Sequence, residues 1–100
     1  MSFYRSSAWR SKRKSVLRRD VYRCRECQRY GKTTDATTVH HVIPLSDRYD
    51  LRLTKENLIS LCNACHEQMH DRITDKLTDL GMSWVDRLSK RIQHDTQDTT

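Results

Sequence analysis

The sequence predicts a small α+β domain in which two short strands and a helix form one stapled unit, with further helices flanking it at both ends. Three observations carry that reading. Two cysteine pairs, Cys24-Arg25-Glu26-Cys27 and Cys62-Asn63-Ala64-Cys65, bracket the middle of the chain. Two strand-type runs, Thr37 to Ile43 (TTVHHVI) and Leu58 to Leu61 (LISL), lie between or beside them. Apolar residues recur at helical spacing near both termini. With 100 residues, 35% of them hydrophobic and 32% charged, the chain can bury only a thin core, so a second source of stability is expected.

Taking the elements in order, Ser6 and Ser7 can cap a helix from about Ala8 to Arg19, with Trp9, Val16 and Leu17 on one side and most Lys and Arg residues on the other. Trp9 is expected to anchor the core because it shares the apolar side. Val21-Tyr22-Arg23 is expected to be a short extended piece leading to the first cysteine pair, and Gly31 a turn. Tyr22 and Tyr30 read as structural. Pro44 stops the first strand, Ser46 to Leu53 reads as a loop, and Thr54 to Asn57 as a capped turn.

From His66 onward, His66, His70, Ile73, Leu77 and Leu80 recur as one helical stripe, with Gly81 as its stop. Met82 to Val85 then opens a last helix through about Ile92, and 94–100 reads as a frayed tail, leaving one domain over 1–93. No internal repeat appears.

Cysteine pairs at C-x-x-C spacing read as a four-thiolate zinc site made of Cys24, Cys27, Cys62 and Cys65. The disulfide alternative needs an oxidising compartment. The leading segment MSFYRSSAWRSKRKS offers no apolar run of the secretory kind, and no stretch is long enough for a membrane span. Structural Zn²⁺ in a reducing cytoplasm is therefore the expectation.

The net charge is +6, and the excess is front-loaded in Arg5, Arg10, Lys12, Arg13, Lys14, Arg18, Arg19, Arg23, Arg25 and Arg29. Such a block suits a polyanion, most simply nucleic acid. A solvated helix face would account for the charge equally well.

His40, His41, Asn57, His66 and His70 all fall on or beside the strand, turn and helix that the cysteine pairs tie together. On a helix, His66 and His70 are four apart and can aim at one point, and one histidine of the His40–His41 pair can complete a three-imidazole metal site with positions left for water and a phosphate oxygen. Successive side chains on a strand point to opposite faces, so adjacent histidines suit different tasks, one binding a metal and the other serving as a base.

The ordered run VHHVIPLSDRYDLRLTKENLISLCNACHEQMH, Val39 to His70, preceded by CREC, resembles the HNH or ββα-metal endonuclease family. The leading FYRSSAWRSKRKSVLRRDVYRC is similar to the start of small bacteriophage HNH proteins. Carried over by matched position, the resemblance implies that His41 is the general base and that His40, His66 and His70 are ligands of a catalytic divalent metal. It also implies that Asn57 holds the base or its loop in place through a hydrogen bond.

The resemblance further implies hydrolysis of DNA phosphodiester bonds to 5′-phosphate and 3′-hydroxyl ends, a double-stranded DNA partner, and association with the phage packaging terminase in the cytoplasm of a bacterial host. Many phage members carry Asp at the His40 position and no His at the His70 position. Three imidazoles suit Zn²⁺, Ni²⁺ or Mn²⁺ better than Mg²⁺, so the catalytic ion stays open among these four.

The competing reading is a non-catalytic, zinc-stapled DNA-binding module. It is not a C₂H₂ finger, because the Cys27 to His66 gap far exceeds the roughly dozen residues such a finger uses. Restriction and homing roles stay open as well.

Overall fold

The computed structural model describes the backbone of residues 2–98 and the side chains of residues 2–90. Its helices are α1 (Ser7–Arg19), α2 (Arg25–Gln28), α3 (Asn63–Glu67) and α4 (Asp79–Asp98), and its strands are β1 (Thr38–His41) and β2 (Leu58–Leu61). The fold is α+β, as the sequence predicts.

α1 starts where Ser6 accepts a hydrogen bond from the Trp9 backbone N–H at 3.1 Å. It buries Trp9, Val16 and Leu17 against Val39 and Leu58, so Trp9 does anchor a core. Beyond α1 the chain does not extend. Val21 and Tyr22 both take positive φ, 54° and 56°, in a tight turn closed by Tyr22 N–H donating to the Leu17 carbonyl at 2.8 Å. That conformation is uncommon for a β-branched residue. It leaves Val21 and Tyr22 exposed, and Tyr30 is also exposed, so neither tyrosine packs in the core. Gly31 supplies the expected turn at φ 74°.

β1 and β2 form an antiparallel pair with His40 opposite Ile59 and His41 opposite Leu58. The pairing continues one step further, where the Val42 N–H reaches the Asn57 carbonyl at 2.9 Å. The outer edge of β2 meets side chains instead of a third strand. Asp20 accepts from the Ser60 N–H at 3.0 Å, and Arg19 donates to the Leu58 carbonyl at 2.7 Å. These groups satisfy edge backbone that would otherwise be buried and unpaired. Thr54 makes no side-chain cap in the turn before β2, whose Lys55–Asn57 segment is a single 3₁₀ turn.

The largest departure from expectation follows His66. The helix does not run on to Leu80; α3 ends at Glu67, and the chain turns back so that His70 pairs with Leu77 in a lone bridge. The cause is local. The Asp71 carboxylate accepts from the N–H groups of Ile73 and Thr74 at 2.8 and 2.9 Å, offering the backbone an alternative to the helix. Asp75 then takes φ 60°. Ile73, placed on the inward stripe by periodicity, is 95% exposed at the loop tip.

Gly81 is likewise not a stop. It lies buried in the first turn of α4, where an added Cβ would sit 2.5 Å from the Met69 carbonyl oxygen. The start of α4 is set by Thr78, whose hydroxyl accepts from the Gly81 N–H at 3.1 Å and donates to the Gln68 carbonyl at 2.6 Å. α4 packs Trp84 and Leu88 against Val42, Ile59, Leu61 and Met69. α4 carries the backbone on to Asp98, past the end expected near Ile92, so most of the tail expected over 94–100 is helical, and residues 99–100 lie outside the described residues.

Candidate metal and nuclease centre

The four cysteines converge because β1, β2 and the two helix starts bring both pairs to one place. Their sulfurs all lie within 4.8 Å of one another, with Cys27 Sγ 4.0 Å from Cys62 Sγ and 3.7 Å from Cys65 Sγ. Zn–S bonds of about 2.3 Å arranged tetrahedrally put sulfurs about 3.8 Å apart, whereas a disulfide needs about 2.05 Å, so the geometry fits a metal and not a bridge. Burial pushes the Cys24 and Cys65 thiols above the usual range. Cys24 is buried and the other three are half-buried, and four thiolates held this close repel one another unless a cation joins them.

The adjacent histidines part as strand geometry requires. His40 faces α3 and its following loop, and its ring lies 5.4 Å from that of His66 and 5.5 Å from that of His70. The helix that was to align the latter two is absent, yet the chain reversal after α3 still delivers His70 to the same place. His40 is 2% exposed, and its Nε2 has no hydrogen-bond partner. Burial, then the neighbouring His66, His70 and His41, push its pKa down to about 3. His66 also lies below the ordinary range through burial and His70, partly opposed by Glu67. Neutral imidazoles with an unpaired buried nitrogen are what a divalent ion requires of its ligands. His40 offers such a nitrogen, while among the described residues only the four cysteines bring all their ligand atoms within 4.8 Å of one another.

His41 points the other way. Its ring stacks on Trp9 with centroids 5.0 Å apart and planes 22° apart, and Phe3 and Tyr4 stand at 5.9 and 6.1 Å. Its Nε2 lies 3.0 Å from the backbone carbonyl of Arg52. A carbonyl oxygen only accepts, so Nε2 carries the proton in this bond, and in the neutral ring Nδ1 keeps its lone pair. Burial lowers the His41 pKa, with the Arg52 hydrogen bond acting against it.

Asn57 does not touch His41. Its Oδ1 accepts from the Ile43 N–H at 2.8 Å, and its Nδ2 donates to the carbonyls of Ile43 at 3.1 Å and Leu51 at 3.4 Å. It thereby fastens the end of β1 to the segment whose next residue, Arg52, supplies the carbonyl that holds His41.

The two histidine faces open into one cleft of about 530 Å³, which also meets Trp9, Arg13 and Asp75. Arg13, on α1, donates to the Thr37 carbonyl at 2.9 Å and places a cation at the rim. Several other members of the basic block are structural instead. Arg19 and Arg25 bind Asp20, Arg23 binds Asp35, and Arg29 binds Glu26. Among the residues that sequence reasoning missed, Arg52 acts through its backbone and leaves no side-chain signal. Phe3 and Tyr4 could have been suspected from their nearness to Trp9 in the chain.

No described helix is long and apolar enough to cross a membrane. The family model for HNH endonuclease matches residues 24–72. The crystal structure of a deep-sea thermophilic bacteriophage GVE2 HNH endonuclease with manganese ion is 43% identical, covering 65% of this chain and 71% of that chain with a TM-score of 0.64. No curated protein matches. With 43% identity over 71% of the bacteriophage enzyme and the family match over 24–72, the family is settled: the chain belongs to the HNH endonucleases.

Proposed function

We propose that the chain hydrolyses phosphodiester bonds of double-stranded DNA, with His41 as general base, Asn57 as the residue that positions it, and His40, His66 and His70 as the seat of a catalytic divalent ion. The observation that carries this reading is the His41–Arg52 hydrogen bond, because it fixes the tautomer. With Nε2 donating to the carbonyl, Nδ1 takes a proton from an attacking water at the cleft. Its lowered pKa keeps the base form dominant at neutral pH. Trp9 holds the ring plane, and Arg13 stands where a substrate phosphate would enter.

A bound ion would supply Lewis-acid charge to the phosphate and to the departing 3′ oxygen, leaving 5′-phosphate and 3′-hydroxyl ends. Imidazole donors suit Ni²⁺ and Zn²⁺, and Mn²⁺, named with the bacteriophage structure, stands beside them and Mg²⁺ as ions to test. The cysteine site carries structural zinc in this reading and takes no part in the chemistry.

In this reading the chain acts in the cytoplasm of a bacterial host beside the packaging terminase, and its likeness to a bacteriophage HNH endonuclease supports the phage setting alone. Residues 1–93 form the working domain, and a chain ending there retains cleavage. Co-purification with terminase subunits tests the partner.

The deciding experiment is supercoiled-plasmid cleavage with each ion, with chelator, and with His41→Ala. Metal-dependent nicking that the variant loses supports the reading. DNA binding without cleavage under every condition would instead favour the zinc-stapled binding module.

A further inference from the structure

A second hollow, of about 280 Å³, lies between α2 and α4 and is lined by Arg25, Gln28, Arg29, Trp84 and Arg87. Among the described residues no acidic side chain lines it. Trp84 forms one wall, and it is 6% exposed with an indole Nε1 that has no hydrogen-bond partner. The guanidinium groups of Arg25 and Arg87 lie over its ring at 5.7 and 5.6 Å from the centroid. Each gains from the ring quadrupole, but two like charges over one ring repel each other.

Two of the three guanidinium groups have a carboxylate partner, and Glu56 lines the adjoining groove, so Arg87 carries the charge that is left. Arg25 reaches Asp20 only at 3.5 Å, and Arg29 is paired with Glu26. Arg87 has no carboxylate partner among the described residues. Apart from the Gln28 side-chain oxygen, every polar side-chain atom around the hollow is a donor. Such a pocket is built for an oxyanion, and planar guanidinium forks match a phosphate.

The source of that phosphate follows from α1. Arg13 stands at the histidine cleft, Lys14 and Arg18 are exposed, and Arg19 lines the groove next to this hollow together with Arg25, Trp84 and Arg87. From Arg13 to Arg19 the helix rises about 9 Å, on the order of three phosphate steps at about 3.4 Å each. α1 thus runs from the cleft to the groove beside the hollow, with Lys14 and Arg18 exposed between its two ends.

We propose that the Arg25–Trp84–Arg87 hollow binds a backbone phosphate of the DNA substrate, remote from the bond that is cut, and so extends the footprint along α1. This rests on the nuclease reading above. The test uses the full zinc-loaded chain and the variants Arg87→Gln and Gln28→Glu, neither of which lies in the histidine site. Duplex affinity is measured against salt concentration, and the Trp84 indole N–H resonance is followed during titration with duplex and with inorganic phosphate.

The expected results are a salt slope lowered by about one for Arg87→Gln, a several-fold weaker affinity for Gln28→Glu, and a Trp84 signal that moves with both titrants. Wild-type-like affinity and slope in both variants would overturn the proposal while leaving the nuclease intact. A Trp84 signal moved by an acidic peptide but not by DNA would overturn it in favour of a protein partner. Failure of the wild-type chain to bind any duplex would overturn the nuclease reading beneath it.

Discussion

His41 and Trp9 stack face to face, 5.0 Å between centroids, while the far edge of the imidazole is tied to the Arg52 carbonyl. One ring is thus fixed in plane, tautomer and direction by two segments distant in sequence. His41→Ala is expected to lower cleavage by about 10²–10⁴-fold, the usual contribution of a general base, without changing metal content. Plasmid nicking, circular dichroism and metal analysis of the same preparation check this. A variant that unfolds or loses zinc would contradict the separation of base from staple.

Asn57 satisfies three backbone groups of Ile43 and Leu51 from a position 1% exposed. Asn57→Ala leaves buried polar groups unpaired and is expected to cost about 2–4 kcal/mol, more than a single typical hydrogen bond. Asn57→Asp is expected to fail as well, because a carboxylate cannot donate to the two carbonyls. Urea unfolding measures the stability, and kcat measured on the folded fraction reports the loosened Arg52 segment.

Asp20 is buried, which raises its pKa, but hydrogen bonds from Arg19 and Ser60 outweigh that and leave it below the usual carboxylate range. A depressed folded pKa stabilises the fold above the unfolded value of about 3.9 and is lost as pH falls through the folded value. The Tm difference between wild type and Asp20→Asn should therefore be constant near neutrality and shrink below about pH 4. A difference that holds down to the acid transition would show that Asp20 does not titrate as argued. Comparing the two proteins cancels the acid sensitivity of the thiolate site.

Cys24→Ser removes one of four converging sulfurs. Structural zinc contributes on the order of 10 kcal/mol or more to small domains, so the variant, or the wild type under strong chelation, is expected to unfold or release its metal. Zinc content and near-ultraviolet circular dichroism read the outcome. Retention of a cooperative transition with one cysteine gone would show that the core alone suffices.

Gly81→Ala tests a close approach. Alanine is the better helix former by about 1 kcal/mol, yet its Cβ would meet the Met69 carbonyl oxygen at 2.5 Å and the Leu77 side chain at 2.8 Å. The substitution is expected to destabilise, shifting α4 away from the β1–β2 unit. A raised Tm would mean that the helix moves without cost.

The convergence of the four cysteines, both strands and α1 were legible in the sequence because each rests on short-range signals. C-x-x-C spacing, β-branched runs, a serine cap and paired histidines are all read within a few residues. The path after His66 was not, because periodicity at 66, 70, 73, 77 and 80 looks helical until Asp71 captures the next two amides and reverses the chain. His70 reached its place by that reversal and not along a helix.

The tertiary structure alone decided which basic residues are free and which are spent on Asp20, Asp35 and Glu26, since ion pairing depends on neighbours that the sequence does not order. It alone showed that the Arg52 carbonyl orients the His41 ring, because a backbone carbonyl carries no residue identity. It alone placed Trp84 between two arginines, since that contact joins α2 and α4 across more than fifty residues of intervening chain. The sequence by itself determined what chemistry the chain could hold, through residue types at fixed spacing. Packing decided which His41 nitrogen is tied to the Arg52 carbonyl, because direction is set by partners brought from elsewhere in the chain.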